Sequence, residues 1–355
     1  MCSIERKWMM EKDQQVSCDV NFNSKSITGP DNKPKEVNSD GSFKRQTNRF
    51  TTPFGNQAGQ LPIEARRYRL IWCAACPWAH RSVIVRKILG LEDVISLGTV
   101  SPLRPRIDRV DWEFSLDQDN VDPVLGTQYV SDIYLKTDPD YAGRPTVPVM
   151  VDVHKQEAVN NDYFHLTNYF ETVWSPFHKE KAPDLYPEDQ RKEIDSWNDV
   201  IFHDVNNGVY KCGFARSQEA YEQAYDTLFA RLDAIEKHLS TNRFLLGDYI
   251  TDADVRLYTT LARFDAAYYT AFNTNRNLIR EFPNLWGYAR DLYQSPGFGE
   301  TTDFMAIKRH YHQSITINPD KAEVKLLPKG PDAKVWDSDH GRQKLSNKQE
   351  KFLIR

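Results

Sequence analysis

The segment that decides the fold is Cys73–Arg81, which reads CAACPWAHR. It follows a short apolar run, Tyr68–Trp72, and precedes residues 77–89, where apolar side chains recur at helical spacing. Proline disfavours the helical conformation in the residue before it and fits the first helical position. The sequence therefore predicts a strand, a turn and a helix that begins at Pro77, with Cys76 as its cap.

The two cysteines of this segment are predicted to differ in reactivity. Free amides and the positive end of the helix dipole favour the thiolate, which is the form that attacks, so Cys76 is the predicted nucleophile. Two alternatives stay open: Cys76 is an inert buried thiol, or Cys73 attacks and Cys76 resolves in a dithiol redox pair. Pro77 argues against the pair, because it puts Cys73 outside the helix start.

Other polar residues carry weaker signals. His80 and Arg81 could raise the positive potential around Cys76, but an amphipathic first turn with solvated charges is the commoner outcome and is our expectation. A zinc site would need two more ligands than the two cysteines, and the sequence has no second Cys-x-x-Cys. The pair His310-x-His312 alone is weak support, so no metal is predicted.

The composition excludes several classes of protein. Of the 355 residues, 40% are hydrophobic and 27% are charged, so neither a wholly disordered chain nor a polytopic membrane protein is expected, and the length favours two domains. A total of 46 Lys and Arg against 50 Asp and Glu gives a net charge of -4, without the basic excess that nucleic-acid binding needs. Charge-free stretches such as Leu70–Ala79 reach about ten residues, roughly half of a membrane span. We expect no nucleic-acid and no membrane partner.

The amino terminus and the cysteines predict the cellular location. Residues 1–12 are charged and lack a continuous apolar core, so they do not have the pattern of a secretory signal. Five cysteines are an odd number in a long chain, which argues for free thiols in a reducing compartment. The prediction is a cytoplasmic protein.

The pattern along the chain predicts two folded domains. A polar stretch poor in aliphatic residues precedes Tyr68–Trp72, further strands are expected at 94–100 and 146–151, and a helix from Asn161. A proline-rich segment then leads to helices alone, among them Gln218–Leu239 and one that starts at the capping-box pattern Thr251–Asp254. The predicted division is an extended arm over 1–60, an α/β domain over 61–173 with an irregular insertion near 101–140, a linker over 174–189, a helical domain over 190–318 and a carboxy-terminal extension over 319–355.

Several longer motifs occur together in the chain. Taken with the cysteine segment, they resemble the glutathionyl-hydroquinone reductases, the Xi class of the glutathione transferases, over roughly residues 40–331. The motifs are Asp40–Gln46 (DGSFKRQ), Cys76–Arg81 (CPWAHR), Thr146–Val149 (TVPV), Asn207–Lys211 (NGVYK), Arg263–Asp265 (RFD) and Ile317–Pro319 (INP).

The resemblance implies a thioredoxin-like α/β domain followed by an all-α glutathione-transferase domain, a homodimer, and glutathione as the thiol co-substrate. It implies that Val147 and Pro148 form a cis-proline turn whose valine backbone pairs with the cysteinyl part of glutathione. It also implies that Trp112 covers the bound thiol, although the sequence alone is equally consistent with a core tryptophan.

The chain departs from the family pattern at Asn160–Tyr163, where the family has Asn-Asn-Glu-Ser. Asp162 still supplies a carboxylate for the γ-glutamyl ammonium, but Tyr163 puts a bulky phenol where a small serine is usual. The thiol could therefore be glutathione or another low-molecular-weight thiol.

Three tyrosines match the family's aromatic pocket, namely Tyr210, Tyr268 and Tyr311. A phenolic hydroxyl can hydrogen-bond a hydroquinone oxygen while the ring stacks on the substrate. Tyr210 and Tyr311 are expected to assist the chemistry by donating a proton or orienting the ring, with Tyr268 in the same substrate pocket.

These features predict a thiol-dependent reductase. The Cys76 thiolate would attack the sulfur of a glutathionyl-hydroquinone, release the hydroquinone and hold glutathione as a mixed disulfide, which a second glutathione resolves. One alternative is an Omega-like thioltransferase that acts on general mixed disulfides with the same thiol. Another is a non-catalytic ligand-binding member of the fold. The expected partner is a small aromatic thioether or a mixed disulfide.

Overall fold

A computed structural model describes residues 36–104, 110–317 and 322–354. Cys2, Cys18 and the first 35 residues of the predicted arm lie outside this range, as do residues 105–109 of the predicted insertion and 319–321 and 355 of the predicted extension. The strands are β1 Tyr68–Trp72, β2 Ile95–Thr99, β3 Val149–Asp152 and β4 Glu157–Asn160, and the helices are α1 Pro77–Ile88, α2 Val130–Thr137, α3 Leu166–Glu171, α4 Arg191–Val200, α5 Gly208–Phe214, α6 Gln218–His238, α7 Asp252–Arg263, α8 Tyr269–Ala271, α9 Pro283–Tyr293 and α10 Phe304–Gln313.

The four strands form one mixed sheet in the order β2-β1-β3-β4. The central strand β1 is fully buried, runs parallel to β2 and antiparallel to β3, and α1 makes the crossover from β1 to β2. Helix α1 packs against α3 and against α7 of the helical region. The predicted class, a thioredoxin-like α/β unit followed by helices, is therefore confirmed.

Local predictions around the sheet hold with small shifts. Helix α1 begins at Pro77 as expected. Strand β3 begins only at Val149, because Pro148 has no amide to offer the sheet. The Val147–Pro148 peptide bond is cis, as the family resemblance implied. The helix predicted from Asn161 begins later, at Leu166, after a turn that follows β4.

The segment predicted as an irregular insertion contains a helix. Within 101–140, α2 buries Val130, Ile133 and Tyr134, which stand at helical spacing on one face. The prediction of an irregular insertion is therefore wrong over Val130–Thr137.

The arm is also more ordered than predicted over its described part, 36–60. Phe43 and Phe54 are buried, and the Phe54 ring meets Tyr68 of β1 and Trp174 edge-on, with centroids 5.2 and 5.8 Å apart. A few aromatic side chains bury enough area to fix a stretch that has little aliphatic content. Phe43 and Phe54 of the predicted extended arm therefore belong to the core, which the sequence pattern did not indicate.

The helical region follows its sequence signals closely. Helix α6 spans Gln218–His238, and the apolar side chains of Leu228, Leu232 and Ile235, which recur at helical spacing, are buried. The capping box at the start of α7 forms: the Asp254 carboxylate accepts a hydrogen bond from the Thr251 amide at 2.8 Å. In the part of the chain that the structure describes, no helix is both long and apolar enough to cross a membrane.

Candidate active site

Cys76 lies at the start of α1, between the sheet and the helical region. It is the N-cap residue in an extended conformation, and only 7% of its side chain area is exposed. Its thiol makes no hydrogen bond to the amides of the helix start and instead donates to the Val147 carbonyl oxygen, 3.4 Å away. The predicted cap position is confirmed, and the thiol faces the cis-proline turn.

Cys73 has a different environment, as the sequence predicted. It is completely buried, and its sulfur lies 3.8 Å from the Ser101 carbonyl oxygen. Burial raises the pKa of the Cys73 thiol to about 12, so it stays protonated at neutral pH. This environment favours a single nucleophile over a dithiol pair.

The loop that carries Cys76 is held by α7. The Arg263 guanidinium donates to the Ala75 carbonyl at 2.8 Å and to the Ala74 carbonyl at 2.9 Å, and lies 3.2 Å from the His80 ring. Arg263 is fully buried, so these bonds are shielded from water. The backbone just before Cys76 is thereby fixed from the helical region.

The expectation of solvated charges in the first turn of α1 is wrong. His80 and Arg81 are both buried, because α7 and α3 cover this face of the helix. Burial first, and then the charge of Arg263, lowers the pKa of His80 well below its usual range, so the ring is neutral. The Arg81 guanidinium lies 4.9 Å from the Trp78 ring centroid, and its nitrogens have no hydrogen-bond partner among the described residues.

A cavity opens directly at Cys76. Its narrow interior measures about 110 Å³, and the empty space that includes its mouth measures about 930 Å³. Pro148, Asp162 and Tyr268 are not among its lining residues. The residues predicted for the site that do line it are Cys76, Trp112, Val147, Tyr163, Tyr210 and Tyr311.

The three predicted tyrosines form one hydrogen-bonded cluster. The Tyr311 hydroxyl lies 2.7 Å from the Tyr210 hydroxyl and 3.2 Å from that of Tyr268. Burial raises the pKa of all three phenols, so they keep their protons at neutral pH and can donate them. Tyr268 is fully buried and does not line the cavity; its ring lies 6.0 Å from that of Tyr210 and 5.1 Å from that of Tyr311.

The opposite wall contains the departure from the family pattern. Asp162 accepts hydrogen bonds from Asn48, which lines the cavity, at 3.2 Å and from His165 at 2.8 Å. Burial alone would raise the pKa of Asp162, but His165 outweighs it and the pKa is lowered, so the carboxylate is charged. The Tyr163 ring packs on Trp78, with centroids 5.1 Å apart, and forms part of the wall.

Sequence reasoning missed the polar lining that comes from other segments. Arg45 lies 4.6 Å from the Tyr210 ring centroid, and Arg104 lies 3.7 Å from that of Trp112, each with a buried guanidinium nitrogen that has no partner among the described residues. Three guanidinium groups against one carboxylate suit an anionic ligand such as a peptide with two carboxylates. The missed polar residues include Glu36, Arg45, Gln46, Asn48, Arg104, Arg144 and His310. Arg45 and Gln46 had a signal inside the 40–46 motif, and His310 had one only as part of the weak His310-x-His312 pair.

The fold and this site are those of a glutathione transferase with a cysteine at the start of its first helix. A family model described as the glutathione S-transferase C-terminal domain matches residues 218–291. Among the described residues, no cluster of three or more His, Cys, Asp or Glu could hold a metal ion.

Named relatives show which family of glutathione transferases the chain belongs to. The chain is 39% identical to the glutathionyl-hydroquinone reductase YqjG of Escherichia coli, over 85% of this chain and 92% of that protein. It is 40% identical to glutathione S-transferase omega-like 2 of Schizosaccharomyces pombe, over 82% of this chain and 94% of that one. The chain belongs to the glutathionyl-hydroquinone reductase family, the Xi class of glutathione transferases.

Solved structures agree with this assignment. The glutathione transferase Xi of Phanerochaete chrysosporium is 42% identical and superposes with a TM-score of 0.77, over 84% of this chain and 95% of that one. The glutathione-bound structure of Escherichia coli YqjG is 38% identical with a TM-score of 0.74, over 85% of this chain and 98% of that one.

Proposed function

We propose that this protein is a thiol-dependent reductase that removes glutathione from glutathionyl-hydroquinones. The observation that carries the proposal is that one cavity contains both the Cys76 thiol and the paired hydroxyls of Tyr210 and Tyr311. A sulfur nucleophile and phenolic proton donors are the two groups that this reaction needs. The name of the Escherichia coli relative supports the same substrate class.

The chemistry starts at sulfur. The Cys76 thiolate attacks the sulfur atom of the keto tautomer of the conjugate, and a sulfur–sulfur bond forms. The carbon–sulfur bond breaks, and its electron pair moves into the ring to give a phenolate. The released phenolate takes up a proton, for which Tyr210 and Tyr311 are the nearest donors in the cavity. A second glutathione, as its thiolate, then attacks the mixed disulfide, so that glutathione disulfide leaves and the Cys76 thiolate is restored.

The co-substrate in this proposal is glutathione. The cationic lining of Arg45, Arg104 and Arg144 supports it, because glutathione carries two carboxylates against one ammonium. The backbone of Val147, next to Cys76, is proposed to pair with the cysteinyl part of glutathione, and Trp112 to cover the glutathione sulfur. Asp162, which lies behind Asn48, is proposed to attract the ammonium group of glutathione. The alternative co-substrate is another small thiol, because Tyr163 puts a bulky side chain where the family has a serine.

An Omega-like thioltransferase is the second candidate, supported by the name of the Schizosaccharomyces pombe relative. The deciding experiment incubates the purified chain with glutathionyl-menadiol and glutathione and follows free menadiol. Release of menadiol supports the reductase. Reduction of small mixed disulfides without menadiol release points to the thioltransferase, and neither activity points to a non-catalytic ligand-binding protein.

The proposal also includes a homodimer in the cytoplasm with the domain division given above. Its support is the family resemblance, together with free thiols at Cys73, Cys76 and Cys212, which suit a reducing compartment. Light scattering during size-exclusion chromatography tests the dimer, and a mass near that of one chain would contradict it.

A further inference from the structure

His310 lines the cavity beside Tyr311. Its Nδ1 lies 2.7 Å from the Pro102 carbonyl oxygen. Because a carbonyl oxygen only accepts, the ring proton belongs on Nδ1 and the lone pair on Nε2. Within 36–104, 110–317 and 322–354, Nε2 has no hydrogen-bond partner.

The imidazole is held rigidly between the two halves of the cavity. It stacks on Trp112, with ring centroids 5.3 Å apart and planes 20° from parallel, and it meets Tyr311 edge-on at 4.9 Å. Only 7% of its area is exposed. The imidazole ring is therefore held against Trp112, on the side proposed for the thiol, and against Tyr311, on the side proposed for the aromatic ring.

The ring is neutral at every physiological pH. Burial first, and then the charge of Arg104, lowers the pKa of His310 to about 3, with Arg263 and Arg144 adding to the effect and the Pro102 carbonyl opposing it. The guanidinium groups that face the cavity only donate hydrogen bonds, and the Glu36 carboxylate is already bound by Arg144 at 3.2 Å. Nε2 is thus a neutral acceptor close to cationic donors.

We propose that His310 Nε2 accepts a hydrogen bond from a hydroxyl group of the aromatic substrate and so selects hydroquinones over quinones and hydroquinone ethers. A hydroquinone supplies the O–H group, whereas a quinone or an ether shields Nε2 from water and offers it no hydrogen, which costs binding energy. The proposal rests on the proposed function for the aromatic site and names the substrate group that His310 recognises.

The test compares two ligands, the second of which carries a methyl group in place of each hydroxyl hydrogen. Isothermal titration calorimetry measures binding of hydroquinone and of 1,4-dimethoxybenzene to the full chain and its variants at pH 6 and pH 8. We expect the wild type to favour hydroquinone by roughly tenfold, and His310→Asn, whose amide can still donate to Pro102, to reduce that ratio to about twofold. His310→Gln, which restores an acceptor near the Nε2 position, should keep most of the preference at both pH values.

An unchanged ratio in His310→Asn overturns the proposal. If that variant does not fold, His310→Phe takes its place, since it keeps a ring against Trp112 and removes both nitrogens; a hydroquinone preference that survives there overturns the proposal as well. Calorimetry measures binding without turnover, so the role of His310 and the reductase activity are tested independently. If the wild type releases menadiol but His310→Asn keeps the full preference for hydroquinone, only the role of His310 is refuted. If His310→Asn loses that preference but the wild type releases no menadiol, only the reductase is refuted.

Discussion

The Arg263 guanidinium donates a hydrogen bond of 2.8 Å to the Ala75 carbonyl oxygen, across 188 positions of the sequence. Ala75 directly precedes Cys76, so the end of α7 sets the path of the backbone that carries the thiol. The helical region therefore takes part in building the sulfur site as well as the aromatic wall.

Replacing Arg263 tests this contact. Arg263→Met leaves the Ala74 and Ala75 carbonyls buried without donors, and we expect a loss of about 3 kcal/mol in the free energy of unfolding and a clearly changed rate of Cys76 alkylation. Urea unfolding and iodoacetamide kinetics measure the two effects. Arg280→Met is the control, because Arg280 is exposed. An unchanged alkylation rate in a folded Arg263→Met protein would show that the loop does not need the contact.

Single substitutions distinguish the roles of Cys73 and Cys76. Cys76→Ser should abolish turnover, while Cys73→Ser should keep most of it, because burial raises the pKa of Cys73 to about 12 and leaves it unreactive at neutral pH. Mass spectrometry after brief alkylation at pH 7.5 should find the label on Cys76. Loss of activity in Cys73→Ser alone would refute the single-thiol mechanism.

The tyrosine hydroxyls separate the reductase from the thioltransferase. Tyr210→Phe or Tyr311→Phe should lower turnover of glutathionyl-hydroquinones by roughly tenfold, about 1.4 kcal/mol, and leave reduction of hydroxyethyl disulfide nearly unchanged. Tyr268→Phe should have a smaller effect, since Tyr268 does not line the cavity. Equal losses on both substrates would indicate damage near Cys76, and no loss on either would remove the tyrosines from the mechanism.

Tyr163 is tested by removing first its hydroxyl and then its ring. If the ring obstructs the γ-glutamyl group, Tyr163→Ser should bind glutathione several-fold more tightly, and Tyr163→Phe should behave like the wild type. Calorimetric titration with glutathione gives both values. Weaker binding in Tyr163→Ser would mean that the ring, which packs on Trp78, contributes a contact of its own.

The ion pair between Glu36 and Arg144 predicts a pH-dependent stability of the arm. Burial raises the pKa of Glu36, but Arg144 and the Gln46 amide outweigh it, so the folded-state pKa lies below the usual 4.5. Glu36 therefore stabilises the fold above pH 4.5, and this contribution is lost as the pH falls through the lower folded value. Glu36→Gln should cost about 1–2 kcal/mol at pH 7 and progressively less below pH 4.5.

Urea unfolding between pH 3 and pH 8 measures this difference. Glu64→Gln is the matched control, because the Glu64 and Arg67 pair is at the surface and should contribute little at any pH. A difference between wild type and Glu36→Gln that stays constant with pH would contradict the assigned ion pair.

Sequence was sufficient for the parts of the fold that are coded locally. A buried run followed by a proline located β1 and the start of α1, and the spacing of apolar residues located α6. Helix α2 was missed because prolines and acidic residues surround its short apolar face, at Val130–Thr137. Phe43 and Phe54 were missed because an aromatic core contact needs no periodic pattern around it.

The site divides in the same way. Cys76 was predictable because a helix start is a local feature, and the tyrosines were found through family motifs. Arg104 and His310 come from segments about 200 positions apart, and no pattern in either segment signals that Trp112 lies between them. His310 had attracted notice only as part of a possible metal pair, whereas its partner is the Pro102 carbonyl.

The described arm contributes Glu36, Phe43, Arg45 and Asn48 to the cavity, yet residues 36–50 supply no strand of the four-stranded sheet and no helix. Substitutions of these lining side chains can change which molecules fit, while the Arg263 bonds that hold the backbone before Cys76 come from outside the segment. The segment thus resembles an exchangeable specificity loop. Exchanging residues 36–50 between members of the family should carry acceptor preference from one to another while leaving the thiol chemistry in place.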